Sequence, residues 1–208
     1  MAKTNKNIEV EIRGPLSKKK YFNLEKYLKK NGLFVKKKDR VLIDYSFFIP
    51  SEGLESRKND IRLRITNKIP EIIVKIGKMG GSDEREEISV IARKNSFDDL
   101  VKIFAILGLK KGMLCIRKGN IYQYKNIEFS LVEVPNHSYY FEAEKLICKG
   151  EDKNQVKQEL LKVCKQLKLR TFSDKSFFSY LKKLNKEANE IFNFKDYKEN
   201  YFKERFNF

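Results

Sequence analysis

The chain has 208 residues, 41% of them hydrophobic, which is enough for one domain with a sizeable core. Its 45 Lys and Arg exceed its 28 Asp and Glu, so we expect an anionic partner: a nucleotide, a polyphosphate, a nucleic acid or an anionic membrane. The single histidine and the three cysteines, which lack metal-ligand spacing, argue against a zinc site or a histidine-based catalytic triad.

The sequence contains no apolar run of about 18 residues, and its N-terminus lacks the apolar segment of a secretory signal. We therefore expect a cytoplasmic protein with no membrane partner. Two lysine runs, Lys18–Lys20 and Lys36–Lys38, leave two alternatives open. They either form a solvated surface or take part in binding the anion.

The segment 8–13 alternates strictly between aliphatic and charged residues, which predicts a β-strand with one apolar and one charged face. Similar alternation recurs further along the chain. Strands with a polar face are predicted at 60–66, 71–76, 84–90 and 139–146. Other β-rich segments lie at 40–49, 113–117, 121–124 and 127–135.

Between and after these strands, apolar residues recur at helical spacing in segments 17–32, 96–108, 153–167 and 175–184. Each segment predicts a helix that packs one face on the sheet. The segment 186–208 is different because it holds seven aromatic residues and equal numbers of basic and acidic ones. We therefore divide the chain into a domain at 1–185 and a tail at 186–208, which forms either a packed C-terminal helix or a homodimer contact.

Carboxylates and cations are sorted among the predicted strands. Glutamate pairs lie on the first and last clear strands, whereas the cations lie on strands between them. The glutamates are Glu9, Glu11, Glu142 and Glu144, and the cations are Arg62, Arg64, Lys75, Arg85 and Arg117. An open sheet with one wet face needs no such sorting. A closed sheet would enclose the charged faces and leave the helices outside, which predicts an α+β barrel.

Enclosed carboxylates need neutralisation, because burying a charge costs several kcal/mol even after relaxation. A divalent cation would supply it, and oxygen ligands without histidine or cysteine favour Mg²⁺, Mn²⁺ or Ca²⁺ over zinc. The facing cations similarly predict a multiply charged anion, and arginine is well suited to bidentate phosphate contact. The pattern thus predicts a site for a nucleotide or a polyphosphate chain.

In their order along the chain, these residues resemble the CYTH superfamily, the triphosphate tunnel metalloenzymes. That family includes class IV adenylate cyclases, thiamine triphosphatases and inorganic triphosphatases. Its Glu-x-Glu-x-Lys signature resembles Glu9, Glu11 and Arg13, with arginine in place of lysine. Its later elements resemble Arg62 with Arg64, Lys75, Arg85 with Glu87, Arg117, and Glu142 with Glu144. The resemblance covers roughly residues 7 to 185.

The resemblance implies an eight-stranded antiparallel barrel around a triphosphate tunnel, with the helices packed outside. It implies Mg²⁺ or Mn²⁺ as the cofactor. The implied metal ligands are Glu9, Glu11, Glu87, Glu142 and Glu144. The implied phosphate-binding residues are Arg13, Arg62, Arg64, Lys75, Arg85 and Arg117, and the implied catalytic residues are Glu9, Glu11 and Arg13.

Four positions depart from the family pattern. Arg13 replaces the signature lysine and is too basic to share a proton at neutral pH. Val132 stands where the family usually has an aspartate, Ser89 where it often has a glutamate, and Cys115 where it often has a lysine. The predicted site is therefore leaner in charges of both signs.

These observations favour hydrolysis of a triphosphate on a small molecule, namely a nucleoside triphosphate, thiamine triphosphate or an inorganic polyphosphate. One alternative is a class IV-type adenylate cyclase that makes cyclic AMP and pyrophosphate. Another is a non-catalytic protein that binds a nucleotide or polyphosphate. Action on an RNA 5′-triphosphate end is less favoured, because no RNA-reading motif is visible.

Overall fold

The computed structural model describes residues 8–148 and 150–207, and its central feature is one antiparallel sheet. The strands are β1 (Ile8–Leu16), β2 (Leu33–Lys37), β3 (Arg40–Asp44), β4 (Asn59–Thr66), β5 (Ile69–Ile76), β6 (Ser82–Ile91), β7 (Lys111–Tyr124), β8 (Ile127–Val134), β9 (Ser138–Ile147) and β10 (Glu190–Asn193). The helices are α1 (Lys18–Asn31), α2 (Phe97–Ile106), α3 (Lys153–Gln166), α4 (Asp174–Glu187) and α5 (Tyr201–Phe206). Short 3₁₀ helices lie at Ser46–Phe48 and Phe194–Asp196.

The sheet closes on itself through β7. Neighbouring strands follow the order β7-β3-β4-β5-β6-β1-β9-β8, and β8 pairs again with β7 to complete a ring of eight strands. The first half of β7 pairs with β3 and β10, and its second half pairs with β8 and β2. The predicted α+β fold, an eight-stranded antiparallel barrel with helices outside, is confirmed.

Alternation along the strands explains how the barrel is packed. The aliphatic residues of β1, such as Val10 and Ile12, point outward and are buried against α1 and α3. Leu63 and Ile65 on β4 point outward in the same way and pack with α2 and the C-terminal segment. Each such burial contributes about 1.5–3 kcal/mol relative to exposure. The opposite, charged faces are left to line the interior.

Polar side chains fix the starts of three helices around the barrel. Ser17 caps α1 by accepting a hydrogen bond from the backbone of Lys20, and Asp152 caps α3 in the same manner. At α4, Ser173 and Ser176 exchange hydrogen bonds in a capping box. These caps set where the three helices begin.

Some predicted boundaries were wrong. The β-rich segment 40–49 is a strand only as far as Asp44 and then turns into a 3₁₀ helix. The segments predicted at 113–117 and 121–124 are one continuous strand, because residues between them continue the ladder to β8. Neither β2 nor β10 was predicted. All five residues of β2 are exposed, so they show no apolar alternation.

The C-terminal segment packs on the barrel wall. Its strand β10 pairs with β7, and Phe192 and Phe202 are buried together with Phe97 of α2. The carboxylate of Asp98 accepts hydrogen bonds from the backbone of Phe202 and from the Tyr197 hydroxyl. Within the described ranges, no helix combines the length and apolar character needed to cross a membrane.

Candidate functional site: the barrel interior

Two neighbouring cavities fill the barrel interior. They share the side chains of Arg13, Lys38, Arg40, Arg62 and Glu142. The predicted residues that line only the more polar cavity are Glu9, Glu11, Arg64, Lys75, Glu87 and Glu144. The second cavity is lined in part by α4, and Arg85 and Arg117 also line it. Every site residue predicted from the sequence therefore lines one of these cavities.

Three glutamates form a cluster in the polar cavity. The carboxylates of Glu9, Glu11 and Glu144 each offer an oxygen, and these oxygens lie within 4.8 Å of one another. Register explains the cluster, since Glu11 on β1 pairs directly with Glu144 on β9. Glu9 and Glu11 are buried, and Glu144 is half-buried.

The electrostatics of this cluster suit a divalent cation. Burial raises the pKa of Glu11 well above its ordinary value, and the neighbouring Glu142 and Glu9 raise it further against the opposing effect of Arg13. Burial and the charge of Glu9 raise the pKa of Glu144 to about 8. The cluster thus holds carboxyl groups that repel one another, and hard oxygen ligands are the donors that Mg²⁺ and Mn²⁺ prefer.

The other two predicted metal ligands face cations and lie outside this cluster. Glu87 is 3.1 Å from the ammonium of Lys75. Glu142 is 3.9 Å from both Arg13 and Lys38. Burial alone would raise the pKa of Glu142, but Lys38 and Arg13 hold it below its ordinary value. Glu142 is therefore an anion that the surrounding cations already neutralise.

Lys75 connects the acidic cluster to the basic residues. Its ammonium donates a hydrogen bond of 2.6 Å to Glu9. Burial would raise the pKa of Glu9, but Lys75 keeps it well below the ordinary value. Conversely, burial would lower the pKa of Lys75, and Glu9 keeps it raised. Both groups are consequently charged at neutral pH.

Arg13 lies at the centre of a buried network. Its guanidinium donates hydrogen bonds to Glu11, to Asp83 at 2.8 Å and to the carbonyl of Gly80 at 2.9 Å. It also lies over the ring of Phe177 from α4, 5.3 Å from the ring centre. Burial would lower the pKa of Arg13, but Asp83 and Glu11 raise it well above the ordinary value. Arg13 is therefore a permanent cation.

Three further arginines of the predicted phosphate set already contact carboxylates. Arg62 donates to Asp60 through Nε at 2.8 Å and also through Nη2, and Arg85 donates to the same carboxylate at 2.9 Å. Arg64 donates to Glu71 at 2.6 and 3.0 Å. Burial would raise the pKa of Asp60, but Arg62, Arg57 and Arg85 hold it well below its ordinary value.

Sequence reasoning missed several of these residues. The missed interior residues are Lys38, Arg40, Asp44, Arg57, Asp60, Glu71, Asp83 and Glu128. A signal existed for most of them, because the alternation of each motif continues along its strand. Asp60 precedes the Arg-x-Arg element by two residues, and Asp83 precedes Arg85 by two.

The departures from the family pattern occupy distinct places. Val132 and Cys115 are buried in the second cavity, where they form part of an apolar lining. Ser89 is exposed near the end of β6. Glu128, on the same strand as Val132, lines the polar cavity directly opposite Glu144 in register. Val132 supplies no carboxylate, but Glu128 supplies one four residues earlier on β8.

Comparison with known proteins agrees with this architecture. A Methanocaldococcus jannaschii protein named "Putative adenylate cyclase MJ0240" is 32% identical over 168 residues, 78% of this chain and 90% of that protein. The PH1819 protein of Pyrococcus horikoshii OT3 matches with a TM-score of 0.65 at 21% identity, over 84% of this chain and 98% of its own.

A second solved structure is that of a Hippeastrum protein, "Putative adenylyl cyclase HpAC1", which is described as having a dominant triphosphatase activity. It matches with a TM-score of 0.55 at 15% identity, over 84% of this chain and 95% of its own. At such identities the two structures show a shared fold. The CYTH domain family model matches residues 7–178, and this chain therefore belongs to the CYTH family.

Proposed function

We propose that this protein is a divalent-metal-dependent phosphohydrolase that acts on a triphosphate. One observation carries the proposal: the carboxylates of Glu9, Glu11 and Glu144 cluster in a barrel interior that also holds arginines and lysines. The carboxylates suit Mg²⁺ or Mn²⁺, and the cations suit a chain of phosphates. Nucleoside triphosphates, thiamine triphosphate and inorganic tripolyphosphate all carry such a chain.

In this proposal the acidic side chains bind the metal and the basic side chains bind the phosphates. Glu9, Glu11 and Glu144 would hold the metal, and a bound Mg²⁺ or Mn²⁺ lowers the pKa of water and neutralises phosphate charge. Arg13, Arg62, Arg64, Lys75, Arg85 and Arg117 would bind phosphate oxygens. Glu87 and Glu142 hold the side chains of Lys75 and Arg13 in place through their ion pairs.

In the proposed reaction, the oxygen of a water molecule forms a bond to the terminal phosphorus. The bond from that phosphorus to its bridging oxygen breaks, and the water proton leaves to solvent. Orthophosphate and the corresponding diphosphate are the products. The fixed cations stabilise the charge that develops on the transferred group and on the leaving oxygen.

The test measures orthophosphate release from ATP, GTP, thiamine triphosphate, tripolyphosphate and a 5′-triphosphate RNA, with Mg²⁺ or Mn²⁺. We expect Glu11→Gln and Glu144→Gln to lower kcat by at least about a hundredfold. The matched control is Glu159→Gln, an exposed residue of α3 that pairs with Lys145. Absence of turnover on every substrate, or a Glu11→Gln enzyme equal to wild type, would contradict the proposal.

Cyclisation is the second candidate, and two observations favour it. The Methanocaldococcus jannaschii relative carries the name of an adenylate cyclase. Arg13 replaces the signature lysine, already donates hydrogen bonds to Glu11, Asp83 and the carbonyl of Gly80, and is too basic to share a proton with a reacting water. In that reaction the ribose 3′-oxygen bonds to the α-phosphorus and pyrophosphate leaves. Cyclic AMP and pyrophosphate from ATP, without orthophosphate, would establish it, and tight binding without turnover would indicate a binding protein.

A further inference from the structure

The lysine side chains of the run at 36–38 differ in their exposure to solvent. The side chain of Lys37 is 67% exposed and its ammonium lies 2.7 Å from Asp39. The side chain of Lys38 is only 13% exposed, because it enters the barrel and donates a hydrogen bond of 3.0 Å to Ser130. Arg40 follows two residues later and lines both interior cavities. Lys38 and Arg40 are therefore two interior cations that belong to no CYTH motif quoted above.

Arg40 lies beside a second arginine. It pairs in register with Arg117 across the β3–β7 ladder, and both side chains line the same cavity. Like charges placed directly opposite each other on neighbouring strands are destabilising. A sheet that retains such a pair in its interior needs something to offset the repulsion.

The contacts of these two arginines are with neutral oxygens. Arg40 donates through Nε to the hydroxyl of Thr66 at 3.3 Å. Arg117 donates to the carbonyl of Ile116 at 2.7 Å and to the amide oxygen of Asn189 at 3.0 Å. Across the described ranges, neither guanidinium has a carboxylate oxygen within 4.0 Å.

Other arginines of the same wall differ in this respect. Arg62 and Arg64, on the adjacent strand β4, each donate two hydrogen bonds to a carboxylate. An anion that binds them must compete with Asp60 or Glu71. An anion that binds Arg40 has no carboxylate to displace. Burial and the charge of Arg64 together lower the pKa of Arg40 to about 10, and the more distant carboxylate of Glu142 opposes them only in part.

The position of Arg40 fits a substrate anion. In the closed ring, β3 and β1 are separated by the same number of strands in either direction, so Arg40 projects from the wall across the barrel from Glu9 and Glu11. We propose that Arg40, paired with Arg117 and assisted by Lys38, binds one phosphate group of the substrate. The proposal rests on the proposed function, which supplies the polyphosphate ligand.

The test is calorimetric titration with tripolyphosphate, first without and then with Mg²⁺. Arg40→Gln is expected to weaken tripolyphosphate binding by about ten- to a hundredfold, and Arg40→Lys to restore part of the affinity. The matched control is Lys37→Gln, from the exposed part of the same run, with affinity within twofold of wild type. Lys38→Gln is expected to weaken binding by about tenfold.

Thermal melting separates this role from a structural one. Removing one of two opposed cations relieves repulsion, so the metal-free Arg40→Gln protein is expected to melt at or above the wild-type temperature. Tripolyphosphate should then raise its melting temperature less than it raises that of wild type. An Arg40→Gln protein that melts well below wild type, or that binds tripolyphosphate within twofold of wild type, would overturn the proposal.

Failure of the proposed function looks different. If wild type turns over no triphosphate but binds tripolyphosphate in an Arg40-dependent way, the phosphate subsite stands and the hydrolase does not. If wild type hydrolyses a triphosphate and Arg40→Gln has an unchanged KM and kcat, the hydrolase stands and the subsite does not.

Discussion

The ammonium of Lys75 lies 2.6 Å from a carboxylate oxygen of Glu9, so a cation proposed to bind phosphate neutralises a carboxylate proposed to bind metal. Arg13 and Glu11 are related in the same way two residues further along β1. The proposed phosphate-binding cations and the proposed metal-binding carboxylates thus neutralise each other's charge. A metal at the carboxylates would compete with these cations, and each displaced cation would become available to phosphate.

This competition predicts opposite effects of one substitution on two ligands. Lys75→Met removes the cation that opposes metal at Glu9, so we expect Mn²⁺ to bind about tenfold more tightly at pH 8.5. Tripolyphosphate should bind about tenfold more weakly, because a charged donor is lost. Titration calorimetry with each ligand alone measures both, with Lys37→Met as control. If both ligands weakened together, the competition would not exist.

Stability without metal should fall as pH rises. The raised pKa of Glu144, about 8 against an ordinary 4.5, means that the folded protein holds this proton more tightly than the unfolded chain does. Its contribution is therefore complete below about pH 4.5 and is lost as pH rises through about 8. We expect the melting temperature in chelator to fall between pH 5 and 8.5. Glu144→Gln should flatten the profile, and an unchanged slope in that variant would refute the assignment.

Asp60→Asn should be strongly destabilising. The Asp60 carboxylate is fully buried and accepts hydrogen bonds from Arg62, Arg85 and Arg57. Removing its charge leaves buried guanidinium groups uncompensated, which costs about 3–5 kcal/mol. Urea denaturation measures this cost. The control Asp99→Asn, at an exposed residue of α2, should stay within about 0.5 kcal/mol of wild type.

The aromatic C-terminal segment should contribute to stability. Phe202 is 0% exposed and contacts Phe97 and Phe192, so Phe202→Ala should cost about 3–5 kcal/mol. Ile191, on the neighbouring strand β10, is 66% exposed, and Ile191→Ala should cost about 0.5 kcal/mol or less. The comparison is made by urea denaturation. Equal, small effects at both positions would show that this segment does not support the barrel.

The barrel and its charged interior could be predicted because strict alternation places side chains two residues apart on the same face. Glu9 and Glu11 are inferred together for this reason, and so are Arg62 and Arg64. Their counter-ions were not assigned, because the contacts of Asp83 with Arg13 and of Asp60 with Arg85 join different strands and depend on how the barrel closes. Even so, each aspartate lies two residues before an arginine that the sequence did predict to point into the barrel.

Lys38 and Arg40 were missed for a different physical reason. The register of β2 shifts between Phe34 and Lys36, and the chain leaves the ladder between β2 and β3. A break of this kind interrupts the alternation, so the pattern does not indicate on which face of the sheet the residues beside it lie. The short strand β10 has four residues, too few to show a period.

The register of β1 has a consequence for how the protein is made. Glu11 and Glu144 become neighbours only when the first strand pairs with β9, and nearly all other strands lie between them in the chain. During synthesis the N-terminal strand must wait for the C-terminal third of the barrel to leave the ribosome. Such distant pairing is slow, on the order of milliseconds to seconds. The carboxylate cluster of Glu9, Glu11 and Glu144 therefore forms only after β9 has been made and has paired with β1.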